Sequence, residues 1–165
     1  MLAPTAYLDT CVVSGLAKGD LEQNEITALF SILEARRNGL VELVASPVVE
    51  REISRIPEQH RTPHSAIYAL LKEIPLVPAF RKTPPFSPLD FPFGVRPERL
   101  LMLLNNVLPD EEDAAHVYQA AKSGIKYVIT ADVKTMLSRS AEVSRLCGVQ
   151  LLKPTEFVRT VLDYL

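Results

Sequence analysis

The sequence predicts an α/β protein, a three-layer α/β/α sandwich built on a central, mostly parallel sheet. Three observations predict it. Short apolar runs of strand length alternate along the chain with segments of helical periodicity. Strands alternating with helices imply right-handed crossovers, which lay the strands parallel and cover both faces of the sheet. Two of the strand-like runs, AYLD and KYVITAD, end in an aspartate, so both acids fall at one edge, the carboxyl ends where such sheets bind ligands.

The elements follow in order. AYLDT opens the chain as an apolar strand and is followed by a small turn. Glu25 to Asn38 is helical, with Ile26, Leu29, Phe30, Leu33 and Ala35 approximating a stripe and Gly39 as its stop. Leu40 to Ala45 reads as a buried strand whose one polar interruption is Glu42. Ser46-Pro47 starts a helix, serine as N-cap and proline at the first turn, running to about Ile56 with Val49, Ile53 and Ile56 on one face. Arg61 to Glu73 is helical through Ile67, Leu70 and Leu71.

Seven of the 13 prolines and four of the six phenylalanines then fall at about residues 75–97, an irregular excursion whose aromatics predict packing on the domain or on a partner. Pro97 to Asn106 resumes regular structure, and Pro109-Asp110 opens a further helix. Lys126 to Asp132 is a strand, Val133 to Cys147 a helix, Gly148 to Leu152 a strand, and PTEFVRTVLDYL a closing amphipathic helix.

At 165 residues the chain reads as one domain spanning 1–165, with the 47% hydrophobic and 23% charged content of a soluble globular protein. No apolar run approaches the roughly 20 residues that cross a bilayer, and no basic-then-apolar leader opens the chain. Cys11 and Cys147 have no metal-binding or redox spacing and read as small buried hydrophobes of a reducing cytoplasm. The net charge of −2 carries no signature of a nucleic-acid binder, but carboxylates gathered around cations would themselves depress it.

Four acids carry the chemistry. Asp9 ends the first strand, where alone it would serve as a cap. Glu50 borders the buried stripe of the SPVVEREI helix, where an exposed arginine pair is the simpler role. Asp113 belongs to an acidic cluster at a helix start in which Asp110 is the natural cap, and it borders the packed face. Asp132 ends YVITAD, where a turn would also use it. One metal site accounts for all four together: gathered carboxylates repel and raise one another's pKa unless a cation neutralises them. Oxygen ligands without a His or Cys set favour Mg2+ or Mn2+, ions that activate water and neutralise a phosphoryl group, which points to phosphodiester hydrolysis.

LDTCVV, SPVVEREI, the DAAHVYQAA helix followed by YVITAD, and the terminal GVQLLKPTEFV, in that order, resemble the PIN-domain ribonuclease family. The resemblance spans nearly the whole chain except the Phe/Pro-rich excursion. It implies that Asp9, Glu50, Asp113 and Asp132 are the acidic quartet holding Mg2+ or Mn2+, with Thr10 and Thr130 as hydroxyls near the metal. Many bacterial members are similar to VapC-type toxins, which implies an RNA substrate, a small antitoxin partner and a homodimer. The segment from Pro57 to Leu108 is longer than in compact toxin members.

Candidate contacts to an RNA backbone are Arg51, Arg55, Arg81, Lys82, Arg96 and Arg99, for each of which an ordinary solvated residue is the simpler reading. His116, one turn beyond Asp113, is either a half-buried helix histidine or a phosphate contact; His60 and His64 have no ligand spacing. A haloacid-dehalogenase-like phosphatase would want a second acid two residues after Asp9, where Cys11 stands, and no glycine-rich Lys-Ser/Thr loop exists for a nucleotide. The remaining rival is a non-catalytic PIN-like module that binds RNA or protein.

Overall fold

The computed structural model describes residues 3–46, 53–75 and 96–164. Four strands, β1 (Thr5–Leu8), β2 (Glu42–Ala45), β3 (Tyr127–Ile129) and β4 (Gln150–Leu152), form one sheet in the order β2-β1-β3-β4, every pair parallel. The α/β sandwich read from the sequence is thus present, with a sheet parallel throughout these strands. Helices α1 (Thr10–Lys18), α2 (Gln23–Arg37), α3 (Glu58–Arg61), α4 (Ser65–Lys72), α5 (Pro97–Val107), α6 (Glu111–Lys122), α7 (Ser140–Cys147) and α8 (Pro154–Thr160) supply the outer layers.

Two cores, one on each face of the sheet, show the layering directly. Ala6, Leu8, Leu43, Ala45 and Ile129 pack with Val12, Val13 and Leu16 of α1, Leu29, Ile32 and Leu33 of α2, Leu71 of α4 and Phe157 of α8. Tyr7, Val128 and Leu151 point the other way, onto Leu100 and Leu104 of α5, Val117 and Ala121 of α6, and Val143 of α7. The alternation of Ala6 and Leu8 against Tyr7 follows from the two-residue period of a strand. At about 1.5–3 kcal/mol per fully buried Leu, Ile or Val side chain, these cores are the main favourable term in folding.

Several boundaries differ from the expected ones, each for a local reason. The turn expected after AYLDT is helix α1, whose Thr, Val and Val and mid-helix Gly15 weaken local propensity. Burial of Val12, Val13 and Leu16 offsets that deficit, and Gly15 admits Leu21, whose Cγ would lie 3.1 Å from an added Cβ. The helix expected over Arg61 to Glu73 is interrupted by a 3-10 turn, Thr62–His64, because Pro63 has no N–H to donate. The helix expected from Val133 is regular only in α7, after a 3-10 turn at Leu137–Arg139. β2, β3 and β4 are shorter than the runs that announce them, and α8 gives way to a 3-10 turn at Leu162–Tyr164.

Of the expected SPVVEREI helix, the described part is the helical stretch 53–55, with Ile53 buried as its stripe predicts. Glu50, Arg51, Arg81, Lys82 and nearly all of the Phe/Pro-rich segment lie outside the described residues. No helix among the described residues is long and apolar enough to cross a membrane.

Candidate functional site

The strand order places a crevice. After β1 the chain runs through α1 on one face of the sheet, and after β3 it reaches α7 on the other. Connections that leave neighbouring parallel strands toward opposite faces open the space beyond their carboxyl ends, where ligands of open α/β sheets bind. Register fixes what stands there. Leu8 pairs with Ile129, and the Asp9 N–H donates to the Ile129 carbonyl at 2.9 Å, so Asp9 and Thr130 emerge side by side.

Asp9 occupies the N-cap position of α1 with extended backbone, yet its side chain makes no capping hydrogen bond. Its carboxylate turns instead to the Thr130 hydroxyl, which donates to Oδ2 at 2.8 Å, and to the Cys11 thiol, 2.7 Å from the same oxygen. Asp9 is 2% exposed and Thr130 fully buried, so the acid is held inside the fold by dedicated donors. Among the described residues Oδ1 has one long contact, 3.5 Å from the Thr10 hydroxyl, and so keeps acceptor capacity there.

Cys11 corrects its reading as a simple buried hydrophobe. Its sulfur accepts from the Ala131 N–H at 3.1 Å and lies 3.0 Å from the Thr130 hydroxyl, while it donates to Asp9. Burial and the neighbouring Asp9 carboxylate push the thiol far above its ordinary pKa. Cys11 is therefore a neutral donor that supports Asp9, not a nucleophile.

Asp113 and Asp132 meet through a residue that carried no role in the sequence, Thr135. Asp110 caps α6 as expected, accepting from the Glu112 and Asp113 N–H groups at 2.7 and 3.4 Å. That leaves the Asp113 carboxylate free to reach the Thr135 hydroxyl, 2.7 Å from Oδ2. The same hydroxyl lies 2.5 Å from Oδ2 of Asp132, and Asp132 Oδ1 accepts from the Thr135 N–H at 2.8 Å. Asp132 thus also makes the turn that was its simpler role, three residues beyond the end of the short β3, and this side-chain-to-backbone turn delays the helix expected at Val133. The spacing D-V-K-T was the available signal: Asp followed three residues later by Thr is a common local turn.

One hydroxyl carries one proton, so Thr135 can satisfy only one of the two carboxylates at a time. Burial, and then the charges of Asp9, Asp132 and Asp110 acting against the Thr135 hydrogen bond, push the Asp113 carboxyl above its ordinary pKa. Burial also opposes ionisation of Asp132, but the Thr135 hydroxyl and the N–H groups of Thr135, Lys134 and Met136 outweigh it and hold that carboxyl below its ordinary value. Asp132 is the settled anion of the pair and Asp113 the unsettled one.

His116 is directed at the fold. Its Nδ1 lies 2.7 Å from the Tyr7 hydroxyl, with the rings 5.7 Å apart. Burial, opposed by a hydrogen bond with Ser46 and reinforced by Asp9, pushes the Tyr7 phenol up to about 12. The pair ties α6 to β1 and so fixes the height of Asp113, one turn earlier, above the sheet. Arg55, Arg96 and Arg99 are exposed.

Asp9, Asp113 and Asp132 thus come from three parts of the chain to one crevice, close enough for Asp9 and Asp132 to act on Asp113. Among the described residues, however, no three His, Cys, Asp or Glu side chains are gathered tightly enough to hold a metal ion by themselves. The donors suit a hard divalent ion in kind, being carboxylate oxygens with threonine hydroxyls beside them. The fourth acid of the expected quartet, Glu50, lies outside the described residues. No protein-family model, curated protein or solved structure matches the chain.

Proposed function

We propose that the chain is a PIN-like, Mg2+- or Mn2+-dependent endoribonuclease, the toxin of a toxin–antitoxin pair. The observation that supports this most is the single Thr135 hydroxyl shared by Asp113 and Asp132 within range of the Asp9 charge. Asp132 has backbone donors of its own, whereas the half-buried Asp113 has its share of the Thr135 hydroxyl among the described residues, and the acceptor capacity left over is what a cation site would use.

Asp9, Glu50, Asp113 and Asp132 would hold the ion. When bound, it would supply Lewis-acid stabilisation of the scissile phosphate and lower the pKa of water. The chain's own part is orientation. Thr130 and Cys11 fix Asp9, Thr135 holds Asp113 and Asp132 together, and the Tyr7–His116 pair anchors the helix that carries Asp113. Cytoplasmic residence, a small antitoxin partner and a homodimer belong to the same proposal.

The test is incubation of pure protein with mixed RNA, with manganese or with chelator. Wild type cleaves with manganese and is silent with chelator, and Asp9→Asn is silent in both. If wild type and Asp9→Asn leave RNA equally intact at every metal concentration, the alternative holds: a non-catalytic PIN-like RNA- or protein-binding module. That alternative draws on the looseness of the three described acids. Toxicity is read separately, as growth arrest on induced expression and relief by a neighbouring small protein.

A further inference from the structure

We infer that a groove along α1 is the path by which a single-stranded RNA backbone reaches the acidic crevice, its phosphates taken by Lys18 and Arg55 with His60 beside them. The inference rests on the ribonuclease reading above. The groove, about 620 Å³, is lined by Ser14, Ala17, Lys18, Arg55, Ile56, Pro57 and His60. Its volume lies within the range of roughly 300–1,000 Å³ typical of ligand sites. Among the described residues, two cations and an imidazole line it, and no carboxylate does. Lys18, Arg55 and His60 are all exposed, and neither cation belongs to an ion pair formed among the described residues.

What joins this groove to the site is the helix itself. Thr10, Ser14 and Lys18 recur every four residues of α1 and therefore share one face. Thr10 follows Asp9 directly, and Lys18 lies about 12 Å further along the axis at ~1.5 Å per residue. A strand spans that distance in about four nucleotides at its stacked rise of ~3.4 Å. The polar stripe thus runs from the acids, which would repel a polyanion without a cation, to charges that attract one. Phosphate contacts of this kind position a strand without reading its sequence.

The test is fluorescence anisotropy of 5′-labelled oligouridine RNA in excess chelator, where no cleavage intrudes. Replacing both cations, Lys18→Ala with Arg55→Ala, should weaken binding about tenfold. It should also lower the slope of log affinity against log salt by about 1.4, at ~0.7 for each phosphate no longer neutralised. Lys18→Arg with Arg55→Lys should restore both, and Lys18→Glu alone should weaken binding further than Lys18→Ala. Unchanged affinity and slope in the double variant overturn the inference. So does a polyglutamate peptide that binds more tightly than RNA and no longer binds the same variant, which assigns the groove to an acidic protein segment. A wild type that binds RNA through these charges yet never cleaves it with manganese removes the ribonuclease activity and leaves the path. One that cleaves but ignores both charges removes the path and leaves the activity.

Discussion

Two acid–threonine clusters in this molecule are built on opposite principles. At Glu25 a buried carboxylate of α2 accepts from both the N–H and the hydroxyl of Thr155, at 3.0 and 2.8 Å, and so closes the first turn of α8. There one acid has two donors. Beyond β3 one hydroxyl, that of Thr135, is shared by two acids, Asp113 and Asp132, of which Asp132 also accepts from backbone N–H groups. The first cluster is complete and joins two helices. The second leaves the half-buried Asp113 with a shared donor among the described residues, which is the arrangement the proposed cation site would use.

The most severe break of that contrast is Asp113→Asn. Losing a carboxylate from a metal-assisted phosphodiester site removes several kcal/mol of transition-state stabilisation, so RNA cleavage with manganese should fall about 1,000-fold. In chelator the same variant should melt higher than wild type, because it removes the acid pushed up by burial and by its neighbours' charge. A melting temperature that drops sharply would make Asp113 structural.

Glu25→Ala should do the reverse. The two Thr155 donors lose their buried acceptor, costing about 2 kcal/mol of stability by denaturant melt, while cleavage per folded molecule stays at wild-type level. Thr135→Val should lower cleavage about tenfold and weaken manganese binding by calorimetry, with Thr135→Ser retaining both; equal loss in Val and Ser would leave the hydroxyl without a role in the site.

The smallest effect is in pH. Asp113 has a raised folded pKa, so its contribution is fully present below its unfolded value and is lost as pH rises through the folded one. Asp132 has a lowered folded pKa and contributes oppositely: its stability is present above the unfolded value and lost as pH falls through the folded one. Melting curves in chelator should therefore show the Asp113→Asn advantage at neutral pH shrinking as the medium is acidified. An advantage independent of pH would mean that ionisation of Asp113 is not its source.

The alternation of apolar strands with amphipathic helices was legible because it follows from period, and it alone places Asp9 and Asp132 at one sheet edge. Asp110 as the cap of α6 was equally local, and so was the stop at Gly39, which takes a positive φ of 75°. Helix α1 was not legible. Thr10, Val12, Val13 and Gly15 weaken its helical propensity, and burial of Val12, Val13 and Leu16 against the sheet offsets that deficit. The sequence by itself determined the layers, the carboxyl-end edge and the residue types that reach it. Tertiary structure alone decided that Asp9 turns from its helix to Thr130 and Cys11, and that Thr135 stands between Asp113 and Asp132. The physical reason is range. Period and capping act within a few residues, whereas a proton shared by two carboxylates depends on how α6 and the turn after β3 are packed against the sheet.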